Sequence, residues 1–136
     1  MAHEWALAQA IIESVEDYAL SHGIDKVKKV IVKIGELQAI DKEVLSFALN
    51  ELVKQLGEGK VDIEEFELHD EEAVLRCRAC GFEWKLRDVK LSEDVAESIH
   101  FIPEVVHAFM KCPSCKSRDF EVVKGRGVYI ESIEIP

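Results

Sequence analysis

The segments Cys77-Arg78-Ala79-Cys80-Gly81 and Cys112-Pro113-Ser114-Cys115-Lys116 decide the fold of this 136-residue chain. They hold its four cysteines as two C-x2-C pairs with 31 residues between them. A C-x2-C turn aims two sulfurs at one point. Two such turns face to face make a closed tetrahedral sulfur site, which suits zinc. Gly81 stands where a tight knuckle turns to positive φ, and Lys116 occupies the equivalent place after the second pair. Two disulfides or a dithiol redox pair are the other readings. No secretory signal precedes the cysteines, and matched pairs at this spacing point to a metal. Iron also satisfies four thiolates.

The formal charge is −10, and four thiolates with one Zn2+ move it to about −12. Nucleic-acid affinity comes mainly from cationic contacts, so this charge argues against the usual work of a zinc knuckle. No apolar run approaches the roughly 20 residues that span a bilayer. The start, MAHEWALAQ, has neither the basic region nor the apolar stretch of a secretory signal. The expectation is a cytosolic protein that needs neither nucleic acid nor membrane.

Working outward from the knuckles, the apolar residues Trp5, Ala8, Ile11, Ile12, Val15, Tyr18 and Ala19 predict a helix from about residue 4. Glu13, Glu16 and Asp17 form its acidic side, and Gly23 ends it. Val27 to Leu37 predicts a strand, with Val30, Val32 and Ile34 on one face. A second helix is expected from Lys42 to Leu56, capped by Asp41, with Leu45, Ala48, Leu49, Leu52 and Leu56 as its stripe and Gly57 and Gly59 as its stop. Val61 to Leu68 predicts a strand whose alternation slips between Ile63 and Phe66. Residues 58–72 hold eight acids against Lys60, which reads first as a solvated face and second as a docking face.

Ala73–Leu75 leads into the first knuckle, and Phe82, Trp84 and Leu86 alternate as a strand leaving it, the zinc-ribbon pattern. Ser92 caps a short helix ending near Ser98, and Pro103 opens another. Phe120–Val123 is a strand, 124–127 a turn around Arg126, and Val128–Ile135 a last strand that shifts phase near Ser132. Two strands make a poor sheet, so the last strand is expected to return as the third. The fold expected is α+β. A two-helix, three-stranded-sheet domain (1–69 plus 124–136) is interrupted by a zinc-ribbon-like domain (70–123) with a four-cysteine site. Cys77 to Cys115 spans only about 39 residues, so the metal is expected to decide whether that part folds.

A four-cysteine site has no open position to activate water, and no hydrolase or phosphate-loop motif is present. The other candidate site is the start of the chain, Met1-Ala2-His3-Glu4. A free amine, backbone amides and an imidazole chelate Ni(II) or Cu(II) in a plane. His22 and His69 read as surface residues, and His100 and His107 as core-facing or solvated.

HEWALAQAI at the start, KIGELQ after the first helix, the two knuckles and the closing FEVVKGRGVYI together resemble the HypA family of nickel metallochaperones. The resemblance runs through the whole chain. It implies a nickel-binding domain interrupted by a structural zinc domain, and a carrier rather than an enzyme. It implies transfer of Ni(II) to the [NiFe]-hydrogenase large-subunit precursor, with the nucleotide hydrolase HypB as partner. The family's Met-His-Glu start resembles His3-Glu4 here, preceded by Met1-Ala2, and removal of Met1 restores its register. His3 is then the nickel ligand, with Glu4, Ala2 and Met1 beside it. Cys77, Cys80, Cys112 and Cys115 match the zinc ligands. The insert between the knuckles is long, as in archaeal-type members, and His100 within it resembles an additional nickel ligand. A zinc-ribbon nucleic-acid module and a rubredoxin-like electron carrier are the alternatives.

Overall fold

The first helix of the computed structural model, α1 (His3–Ser21), is set by the spacing of Ala8, Ile11, Ile12, Val15 and Ala19, all buried. The structure describes residues 3–38, 40–56, 60–89, 92–101 and 106–136, with the side chains of 56, 96, 100 and 101 left undescribed. Gly23 at φ +68° closes α1. The Ile24 N–H donates to Ala19 O at 2.7 Å and the Gly23 N–H to Leu20 O at 3.3 Å, the paired bonds of a Schellman turn. Trp5 and Tyr18, expected in the stripe, lie at its margins and are 39% and 48% exposed. Trp5 meets Phe47 edge-on, and Tyr18 stacks on His22. Glu16, expected on the acidic side, is instead buried, so Glu13 and Asp17 carry that side.

The remaining elements are β1 (Lys26–Gly35), α2 (Lys42–Leu56), β2 (Asp62–Glu71), β3 (Val74–Cys77) and β4 (Glu83–Lys85), followed by α3 (Glu93–Phe101), α4 (Val106–Phe109), β5 (Phe120–Lys124) and β6 (Val128–Glu134). Asp41 caps α2, its Oδ1 accepting from the N–H groups of Glu43 and Val44 at 3.0 and 3.1 Å. The stop expected at Gly57 and Gly59 lies outside the described residues, as does Pro103. Ser92 Oγ accepts the Val95 N–H at 3.2 Å and starts α3, which runs on to Phe101.

Two sheets form, ordered β2-β1-β6 and β4-β3-β5. The last strand therefore returns beside β1 as the third strand of the first sheet. Its phase shift is real: Ser132 and Ile133 are both half-buried. So is the slip in β2, where Glu64 and Glu65 are both exposed. The fold is mixed α and β.

The chain divides into two compact units, one of Met1–Lys33, Ile40–His69 and Tyr129–Pro136, the other of Ile34–Ala39 and Asp70–Val128. In the first unit α1 and α2 pack together, with Val27, Val30 and Val32 of β1 and Leu45, Ala48 and Leu49 of α2 fully buried. The acids of β2 are partly used within this unit. Glu67 binds Lys29 Nζ at 2.7 Å and lies 2.9 Å from His69 Nε2. Lys29 and then His69 hold the Glu67 carboxyl below its usual range.

The second unit has an apolar core of Leu37, Leu75, Trp84, Leu86, Ile99, Val106, Met110 and Phe120 among others. This is more core than the 39-residue count between knuckles suggests, because Leu37 and the strands outside the knuckles contribute. The strand expected at Phe82–Leu86 is shorter, Glu83–Lys85, and Leu86–Asp88 turns as a 3-10 helix. Its face is as expected for Trp84 and Leu86, while Phe82 is exposed and stacks on Trp84.

Three backbone segments of this unit converge. Gly35 N–H donates to Gly127 O at 2.8 Å, Glu36 N–H to Glu71 O at 2.9 Å, and Leu37 N–H to Gly125 O at 2.9 Å. A Cβ at Gly35 would collide with the Gly125 backbone. Gly125 itself sits at φ +84°, and a Cβ there would lie 2.5 Å from Ala73 Cα. Gly125→Ala therefore combines left-handed strain with overpacking and is expected to cost about 2–4 kcal/mol. Urea unfolding of the variant against Gly127→Ala, where a Cβ meets nothing within 4 Å, checks this; equal losses would refute it.

Candidate metal centre

The two knuckles have the same backbone design. In the first, Gly81 N–H donates to Cys77 O and Cys77 N–H to Phe82 O, both at 2.9 Å. In the second, Lys116 N–H donates to Cys112 O at 2.9 Å and Cys112 N–H to Ser117 O at 2.8 Å. Each turn ends in the left-handed region, Gly81 at φ +80° and Lys116 at +68°. Among the described residues Lys116 is the only non-glycine there, so the second loop forms despite the residue that made it hard to see in the sequence.

The turns face each other through β3 and β5, where Cys77 is the register partner of Phe120. Arg78 N–H donates to Asp119 O at 2.9 Å. The Arg78 guanidinium reaches Asp119 Oδ1 at 2.9 Å, and Arg76 reaches Glu121 at 2.6 Å. The four sulfurs consequently all lie within 4.8 Å of one another. Cys77 Sγ is 3.5 Å from Cys115 Sγ, and Cys80 Sγ is 3.6 Å from Cys112 Sγ. A disulfide needs about 2.05 Å, and all four cysteines are free. A zinc tetrahedron with bonds of about 2.3 Å has sulfur–sulfur edges of about 3.8 Å. The donor set and spacing fit zinc.

The electrostatics point the same way. The Cys80 backbone N–H, aimed at Cys77 Sγ at 3.4 Å, brings the Cys77 thiol down to about 7. At Cys115 the Ser117 backbone N–H pulls downward, but the Cys77 sulfur, burial and the other two sulfurs outweigh it and push the thiol up to about 12. Four thiolates this close repel, and a divalent cation between them removes the conflict.

The start of α1 is the other candidate. Met1 and Ala2 lie outside the described residues. His3 opens the helix with its imidazole 55% exposed and Nε2 3.7 Å from Glu4 Oε1. Glu4 is buried. Its Oε2 accepts the Asp41 N–H at 3.1 Å, and that bond is the first reason its carboxyl titrates below the usual range. Oε1 has no hydrogen bond among the described residues. The carboxylate thus ties the first turn of α1 to the start of α2, which the sequence reading did not foresee. A signal existed: residues 4, 8, 11 and 15 share one helix face. The backbone of His100 is in α3, and its side chain lies outside the description. His22 and His69 are at the surface. His107 is exposed and stacks on Phe120 with centroids 4.4 Å apart.

A two-helix, three-stranded unit and a second sheet bearing a four-sulfur knuckle define a metal-handling protein of two compact units. Residues 1–135 match the family described as "Hydrogenase/urease nickel incorporation, metallochaperone, hypA". The chain is 55% identical to the hydrogenase maturation factor HypA of Pyrococcus abyssi and 54% identical to that of Thermococcus onnurineus, each match covering 98% of this chain and 95% of the relative. The solution structure of the Ni metallochaperone HypA from Helicobacter pylori superposes with a TM-score of 0.60 at 22% identity, covering 97% of this chain and 96% of that one. A second HypA solution structure gives a TM-score of 0.66, also at 22% identity, covering 100% and 98%. The chain belongs to the HypA family of hydrogenase maturation factors and nickel-incorporation metallochaperones. Among the described residues no helix is long and apolar enough to cross a membrane.

One zinc per chain is expected to survive dialysis, and Cys112→Ser to lose it, since structural zinc contributes about 10–16 kcal/mol. Hydrogen exchange should then rise around both knuckles while α1 and α2 keep their protection. Collapse of protection in every element together would refute separate folding of the units.

Proposed function

We propose that this chain is a nickel carrier, not an enzyme. It takes Ni(II) as cargo at the start of α1 and delivers it to the [NiFe]-hydrogenase large-subunit precursor in the cytoplasm, working with HypB. The observation that carries this reading is the buried Glu4 carboxylate bonded to the Asp41 N–H, with the His3 imidazole beside it at the start of α1. His3 supplies imidazole and amide nitrogens. The amine of Ala2, or of Met1 if that residue is kept, and the Glu4 amide or carboxylate complete the set, with His100 as an additional donor to the processed chain. Nitrogen donors in a plane suit Ni(II), and Cu(II) competes. Zinc, held by Cys77, Cys80, Cys112 and Cys115, is structural in this scheme because a closed sulfur shell leaves no position for exchange with cargo.

Intact mass establishes which residue begins the chain, and nickel titration of the zinc-loaded protein tests the site. Wild type is expected to bind one Ni(II) as a yellow, diamagnetic complex. His3→Ala should lower affinity at least about a hundredfold, losing an imidazole ligand and its chelate ring. Unchanged stoichiometric binding in that variant would remove the N-terminal site.

HypB is proposed to dock at the same end, because metal transfer needs the two sites close together. Trp5 and Phe47 pack edge-on there with rings 6.0 Å apart and are 39% and 59% exposed, and Val44 is exposed one turn before Phe47. Exposed aromatics of this kind anchor protein interfaces. Phe47→Asp is expected to weaken the HypB complex about tenfold or more while leaving nickel affinity unchanged. Cross-links confined to residues 77–115 would contradict this placement. The net charge of −10 supports protein partners over nucleic acid.

A further inference from the structure

The sheet of the first unit ends at β2 on one side and β6 on the other, and the sequence treats the two edges differently. β2 carries six acids in ten residues, Asp62, Glu64, Glu65, Glu67, Asp70 and Glu71. Charges at this density are a common guard against the pairing of an edge with a foreign strand. β6, with the sequence VYIESIE, carries two charges in seven residues. Beside it runs an open groove of about 400 Å³, lined by Ser14 and Tyr18 of α1 and by Ile130, Glu131, Ser132 and Ile133 of β6. Tyr18 is 48% exposed, and its ring is fixed by stacking on His22 with centroids 4.1 Å apart. The feature is thus a strand edge with a trough alongside that offers Tyr18, Ile130 and Ile133 as apolar contacts among Ser14, Glu131 and Ser132, the combination used when a peptide adds to a sheet.

We infer that β6 and this groove are a docking site for an extended basic segment of a partner protein, which pairs with β6 as a fourth strand and lays its apolar side chains against Tyr18, Ile130 and Ile133. The charge identifies the occupant. Residues 128–136 contain Glu131 and Glu134 and no lysine or arginine. Glu131 is 44% exposed even while it reaches Lys33 at 3.3 Å, and Glu134 is exposed at the strand end. Glu13 and Asp17, on the helix that supplies Ser14 and Tyr18, are exposed as well. A second copy of the chain is a poorer fit. Antiparallel self-pairing centred between Ser132 and Ile133 sets Glu131 opposite Glu134 of the other copy, a repulsive cross-strand pair, whereas lysines at those places make attractive ones. This site is independent of where nickel binds.

The test uses the full-length, zinc-loaded chain and two blocked heptapeptides, one alternating lysine and valine, the other alternating glutamate and valine, followed by backbone amide shifts. The lysine peptide is expected to shift the amides of Ser14, Tyr18 and residues 130–133, with an affinity that falls as salt rises. Glu131→Lys with Glu134→Lys should weaken it about fivefold and admit the glutamate peptide. Ser14→Trp, which fills the groove and leaves both acids in place, should weaken it too, and nickel titration of each variant should match wild type. Equal binding of both peptides, shifts centred on β2, or peptide-independent, concentration-dependent changes at β6 that reveal self-pairing would each overturn the inference.

Discussion

Three stretches of backbone, around Gly35, Gly125 and Ala73, meet where there is no room for a side chain. The requirement is steric before it is energetic: hydrogen bonds of 2.8–2.9 Å from Gly35, Glu36 and Leu37 can form only if nothing projects between the chains. Residues nearly a hundred positions apart are joined there, and the loop-closure entropy this costs is offset only because several bonds form at once. Leu37 enters the core of the second unit two residues beyond Gly35, and β6 begins three residues beyond Gly125. Within the second unit, the two glycines hold these segments together because neither carries a side chain.

The metal centre obeys a different logic. Its sulfurs are brought together by turns and by the paired strands β3 and β5, and the Arg76 and Arg78 ion pairs lie outside the sulfur cluster. Surface pairs of this kind contribute little individually, but they cross between the segments that carry the two knuckles. The protein supplies convergence, and a cation supplies the reason for it. Cys77 and Cys112 are also members of the apolar core, so the side of the site facing inward is dry while Cys80 and Cys115 face solvent.

Much of this was legible in sequence because local rules decided it. The Asp41 cap, the Gly23 stop and the knuckle at Gly81 each follow from the chemistry of one or two residues, and the return of the last strand follows from the need of two strands for a third. The phase slips in β2 and β6 were visible as broken alternation. What escaped was depth. Glu4 and Glu16 occupy positions of the buried stripe of α1, yet acidic side chains are assigned to solvent by type; their i, i+4 spacing with Ala8 and Ile12 is the better guide. Trp5 and Tyr18 were assigned inward by type and lie at the stripe's margins. The core of the second unit was underestimated because Leu37 comes to it from a segment that reads as the end of a strand. The side chain of His100 and the first two residues of the chain lie outside the described residues.

Lys116 leaves the two knuckles mechanically unequal. They share hydrogen bonds and spacing, but a side chain held in the left-handed region costs roughly 1 kcal/mol that glycine does not, about a fivefold bias in a local opening equilibrium. The CPSC loop is accordingly expected to open more readily than the CRAC loop. Two turns matched in their hydrogen bonds are thereby unmatched in strain.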